Sequence, residues 1–75
     1  MTNQTKTKAE AATTDYRVEN HGTIYLFTPL NYIAFNHLKA NVQEDAQWMG
    51  DALVVEHRYA YSLAEQLAVD GFRLE

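Results

Sequence analysis

Seventy-five residues, 47% hydrophobic and 12% aromatic, suffice for one small domain that buries about 60% of its unfolded surface. There are no cysteines, which excludes disulfide staples and Cys-based metal sites and fits a reducing cytoplasm, the expected location. The net charge is -4, and from Asp15 onward nine acids face four bases, a balance that argues against binding a phosphate backbone, while an acidic DNA mimic would need denser carboxylates.

Residues 1–14 are rich in Thr, Ala and Lys and carry no large apolar side chain after Met1. They are expected to form a disordered tail before a single domain over 15–75. They have no apolar core of a secretory leader, and no apolar run approaches the roughly 20 residues of a membrane span. Tyr16 and Val18 then alternate with Arg17 and Glu19, Asn20-His21-Gly22 signals a turn, and residues 23–27 are β-rich, so a hairpin is expected. Two registers compete. A His21-Gly22 loop pairs Val18 with Tyr25 and sets Ile24 and Leu26 beside Arg17 and Glu19. The preferred register, with a three-residue loop and Gly22 left-handed, pairs Val18 with Ile24 and Tyr16 with Leu26. It leaves Arg17, Tyr25 and Phe27 on the other face.

Thr28-Pro29 predicts a helix start, with Thr as cap and Pro at the first helical position. That helix is expected to reach about Asn41, with a stripe of Leu30, Ile33, Ala34, Leu38 and Val42 and with His37 at its edge. Gly50-Asp51 can close a second tight hairpin, pairing residues 47–49 with the strand that follows. Ala52-Leu53-Val54-Val55 is apolar without alternation and reads as a strand buried on both faces. Glu56-His57-Arg58-Tyr59 marks its exit, at a strand end of the kind where open α/β sheets bind ligands. A second helix is expected over about 58–70 from the spacing of Ala60, Leu63, Ala64 and Leu67, ending in a Schellman motif at Gly71 with Phe72 against Leu67. Residues 72–75 alternate and suit an edge strand.

The order β-β-α-β-α-β predicts a two-layer α+β fold with a four-stranded mixed sheet in spatial order 1-2-3-4, strand 1 antiparallel, and both helices on one face. The second face is expected to carry Tyr25, Phe27 and part of residues 53–55. Trp48 either closes over it or leaves a patch that invites a partner.

Glu19-Asn20-His21-Gly22, Thr28-Pro29-Leu30, Asn41-Val42, Asp45-Ala46-Gln47-Trp48, Gly50, the 52–59 block and Asp70-Gly71 form a pattern over most of 15–74. It resembles a family of small uncharacterised bacterial proteins associated with phages and other mobile elements, most specifically at 45–59. His37 stands where a large aromatic such as Trp is expected from that resemblance, which supports a packing role there. The resemblance implies no activity.

Candidate chemistry is sparse. His21, His37 and His57 share no ligand spacing, so no metal site is expected. Asn-His-Gly is explained by turn conformation, and His37 by half-buried packing. His57 is flanked by Glu56 and Arg58, but alternation sends Glu56 and His57 to opposite faces. Glu44 and Asp45 are adjacent loop acids of the usual solvated kind. Ser62 is the only serine and lies mid-helix, and no Gly-rich phosphate loop exists. The tyrosines and phenylalanines lack the basic groove that single-stranded nucleic acid needs. The leading expectation is a non-enzymatic protein-binding module, without cofactor, that binds a protein partner or a second copy through Tyr25, Phe27, Trp48 and Val55. No nucleic-acid or membrane partner is expected. The alternative is a small-molecule binder or enzyme at the C-terminal ends of strands 2 and 3, using Thr28, Asn31, Glu56, His57 and Arg58.

Overall fold

A computed structural model describes residues 13–75. The elements are β1 (Tyr16–Asn20), β2 (Ile24–Pro29), α1 (Tyr32–Asn41), β3 (Gln47–Met49), β4 (Ala52–Glu56) and α2 (His57–Val69). Of the expected disordered tail, only Thr13 and Thr14 lie within the described residues; the rest lies outside them.

A two-residue turn sets the direction of the sheet. Met49 pairs with Ala52 across Gly50-Asp51, and Gly50 takes φ 61, where a Cβ would be strained. The chain therefore passes along β3 before it returns through β4. As a result β4 runs antiparallel to β2, and the sheet is β1-β2-β4-β3 with every neighbouring pair antiparallel. The α+β class and the two layers are as expected, and the mixed sheet is not. It counted residues 52–55 as the first strand after α1, whereas the hairpin expected at Gly50-Asp51 forms and β3 takes that place. The reading of 52–55 as a doubly buried strand holds: β4 is interior to the sheet, with Ala52, Leu53 and Val55 buried and Val54 half-buried.

The first hairpin adopts neither expected register. Tyr16 pairs with Pro29, Val18 with Phe27 and Asn20 with Tyr25. The loop is Gly22-Thr23, closed by His21 N–H donating to Ile24 O at 2.9 Å, while the Asn20 side chain accepts from Gly22 N at 2.8 Å. The physical consequence is an exchange of faces. Tyr25 and Phe27 join Tyr16 and Val18 on the helix side, and Ile24 and Leu26 turn to the opposite side with Arg17 and Glu19. The larger aromatic surface thus goes where two helices can cover it.

Pro29 ends β2 instead of opening α1. Asn31 is the N-cap, its side-chain oxygen accepting from Ala34 N at 2.8 Å. Ala34 and Leu38 bury the inner face of α1, whereas Ile33 is 73% exposed and Leu30 39%, so the expected stripe is narrower than its periodicity. The α2 terminus is the expected Schellman ending: Phe72 N donates to Leu67 O and Gly71 N to Ala68 O, both at 3.0 Å, with Gly71 at φ 100. Residues 73–75 do not line the far side of β4. They run parallel to β1, through Tyr16 N to Arg73 O, Glu75 N to Tyr16 O and Val18 N to Glu75 O.

One core results. Tyr16, Phe27, Leu53 and Val55 from the sheet meet Ala34 and Leu38 of α1 and Ala60 and Leu67 of α2. These sheet residues share one face, so both helices lie on that face.

Candidate interaction surface and clefts

Asp15 gathers three segments before any surface is formed. One carboxylate oxygen accepts from the Asn31 side chain and the other from Arg73 N, both at 2.8 Å. Its backbone C=O accepts from Leu30 N at 2.8 Å. The start of β1, the cap of α1 and the C-terminal segment are thereby held together. Beside it, Tyr16 O–H donates to Ala34 O at 2.7 Å. Burial, with the Asp15 and Asp70 charges adding to it, pushes the Tyr16 phenol up to about 12. His37 Nε2 meets Asp70 Oδ2 at 3.0 Å, and its ring lies 4.7 Å from that of Phe72. This arrangement joins α1 to the end of α2, as a packing histidine would.

The expected interaction residues do not form an exposed patch. Phe27 is fully buried and Val55 nearly so. Tyr25 and Trp48 are half-buried and pack against the same core. The correction follows from the hairpin register, which turned Tyr25 and Phe27 toward the helices, and from Leu53, whose partner Trp48 shares its face. Trp48 therefore does not fold over the second face of the sheet. It packs under the side of α1, its ring 6.2 Å from that of Phe35, with Lys39 Nζ 5.8 Å from both ring centres.

The alternative site is divided. Ile24 pairs with Glu56, so Glu56, His57 and Arg58 sit at the β1–β2 turn, where His57 N donates to Thr23 O at 3.0 Å. Thr28 lies four residues along β2 from Ile24, about 13 Å away at the strand rise, and Asn31 lies beyond it. A parallel pair would have brought these ends together, and an antiparallel pair sets them apart. Arg58 turns to Glu56 at 3.2 Å in an exposed ion pair. No group of three or more His, Cys, Asp or Glu side chains that could hold a metal occurs among the described residues.

Two concavities remain. A shallow one of about 410 Å³ lies where α1 begins over the β3–β4 turn, lined by Pro29, Leu30, Asn31, Tyr32, Phe35 and Asp51. Tyr32, Phe35 and Lys39 fall on one flank of α1 by helical spacing, and that flank faces Trp48. A second concavity of about 220 Å³ lies between α2 and the sheet at the opposite end, lined by Val18, Tyr25, Phe27, His57, Ala60, Tyr61 and Ala64. Sequence reasoning missed the first surface, because Tyr32 and Phe35 sit outside the apolar stripe it sought. A Tyr32-Phe35-Lys39 spacing next to a lone Trp was the available signal.

Comparison with protein-family models, with curated proteins and with solved structures gave no match for this chain. No helix among the described residues is long and apolar enough to cross a membrane.

Proposed function

We propose that this chain is a small, non-enzymatic protein-binding module that engages its partner through the flank of α1 and the edge of β3. The observation that carries the reading is the aromatic row Tyr32, Phe35 and Trp48 beside a sheet edge. Tyr32 is 76% exposed, and Leu30 adds apolar surface at the same end. Aromatic side chains of this kind anchor protein interfaces because they bury much area at little entropic cost. β3 is the last strand in the sheet order, paired on one side only among the described strands. In a hairpin closed by Met49 and Ala52, the backbone N–H and C=O of Trp48 point outward. A partner strand can add there while its side chains meet Tyr32 and Phe35. The resemblance to phage-associated proteins makes a regulator acting in a bacterial cytoplasm the setting for such a module, with a host protein or a second copy as partner.

Sedimentation of the full chain from about 1 to 300 μM, a range set by the affinities of small interfaces, tests the version with a second copy. Association is expected to increase with concentration, to weaken on dilution, and to vanish in Tyr32→Glu. A monomer throughout removes the homodimer. Cross-linked pull-down from the native host tests the other version: a partner retained by the wild type and by Ile33→Glu, but lost with Tyr32→Glu, supports the surface. A partner captured equally by all three overturns it.

A further inference from the structure

The small concavity at the start of α2 carries an inference beyond the protein-binding reading. Its origin is a size mismatch in the helix-to-sheet packing. His57, Ala60, Tyr61 and Ala64 follow one another at helical spacing and face Val18, Tyr25 and Phe27 of the sheet. Ala60 and Ala64 place only methyl groups where a Leu would fill the gap, as Leu67 does one turn further on. The space left is about 220 Å³, below the ~300–1,000 Å³ of pockets for drug-sized ligands and suited to a single ring with one polar substituent.

The lining has a chemical character. Val18, Phe27, Ala60 and Ala64 are apolar. Tyr25, Tyr61 and His57 each bring a group able to donate a hydrogen bond. No carboxylate is among the lining residues. Glu56, next to His57 in sequence, shares the opposite face of the sheet with Ile24 and pairs with Arg58 at 3.2 Å. An apolar floor with donors and no acid at its rim is complementary to a flat apolar ring that carries an anion. We propose that this cleft binds a small monocyclic aromatic carboxylate, with the ring against Phe27 and the alanine methyls and the carboxylate among Tyr25, Tyr61 and His57.

The probe is benzoate, added to the ¹⁵N-labelled full chain while amide shifts are followed by NMR. Benzyl alcohol and benzylamine serve as neutral and cationic controls. The expected result is saturable shifts confined to Val18, Tyr25 and the first two turns of α2, with a Kd on the order of 1 mM for so few atoms. Benzylamine is expected to bind at least tenfold more weakly. Ala64→Leu fills the space and abolishes the shifts, its amide spectrum otherwise showing the folded state. Tyr61→Phe, an exposed position that folding does not depend on, weakens benzoate several-fold and leaves benzyl alcohol nearly unchanged. Shifts that never saturate, shifts spread over the whole sheet, equal binding of the three probes, or full binding by a folded Ala64→Leu chain would each overturn the proposal.

Discussion

Tyr16 joins the sheet to α1 through a single buried hydrogen bond, and its ionisation is the clearest pH response at the scale of one residue. In the unfolded chain the phenol titrates near 10; in the fold it does so near 12, because burial and two nearby carboxylates oppose the phenolate. A group whose folded pKa is raised contributes its stability in full below the unfolded value. That contribution is lost as pH rises through the folded one. The fold is therefore expected to lose roughly 3 kcal/mol between pH 10 and 12, read as a falling urea midpoint. Tyr16→Phe removes this alkaline loss and, at neutral pH, costs about 1–3 kcal/mol by leaving the Ala34 carbonyl without its donor. Asp15→Ala removes two accepted hydrogen bonds and is expected to cost roughly 1–2 kcal/mol. Its signature is local: faster amide exchange at Tyr16, Val18 and Glu75, whose N–H groups hold the C-terminal segment to β1.

At the scale of elements, the turns were the most legible part of the chain. Gly50 and Gly71 stand where the backbone needs positive φ, a local requirement written in residue type. Gly50→Ala is expected to cost about 1 kcal/mol by forcing a Cβ into the left-handed region. Because Trp48 is the only tryptophan and sits in that hairpin, its fluorescence reads the loss directly. The strand at 52–56 was legible for a different reason: burial on both faces leaves an uninterrupted apolar run. The register of the first hairpin was not. Both Tyr25-Phe27 and Ile24-Leu26 are apolar pairs, so alternation gives no preference, and the helices decide by covering the aromatics. The cap of α1 was misplaced by three residues because Thr28-Pro29 is also an acceptable strand end, given that Pro29 closes the ladder opposite Tyr16.

For the whole molecule, eight buried side chains form the only core cluster among the described residues, and a domain this small has little stability in reserve. Leu38→Ala is expected to cost roughly 2–5 kcal/mol and to lower the melting temperature sharply in a circular dichroism scan. Ile33→Gln, on the same helix but 73% exposed, is expected to change stability by less than about 0.5 kcal/mol. The contrast measures which part of the apolar content of α1 serves the fold and which part does not. The candidate sites belong to this scale too. Tyr32 and Asp51 lie nineteen positions apart, and Tyr25 and His57 thirty-two apart. Each pair is brought to one concavity only after α1 and α2 dock on the sheet.

The amino-acid sequence alone determined the class of the fold, all six elements with their approximate limits, the turn at Gly50 and the end of α2. Each of these rests on interactions within a few residues: backbone conformation, helical spacing, or the burial demand of one strand. The direction of β4, the faces of the first hairpin, the edge taken by residues 73–75 and the composition of both concavities were decided by the tertiary structure. Periodicity states which residues share a face of their own element. It does not state which neighbour that face will meet. Three residues at Gln47–Met49, too few to carry a pattern, reversed the strand that follows. That reversal separated Thr28 and Asn31 from Glu56, His57 and Arg58.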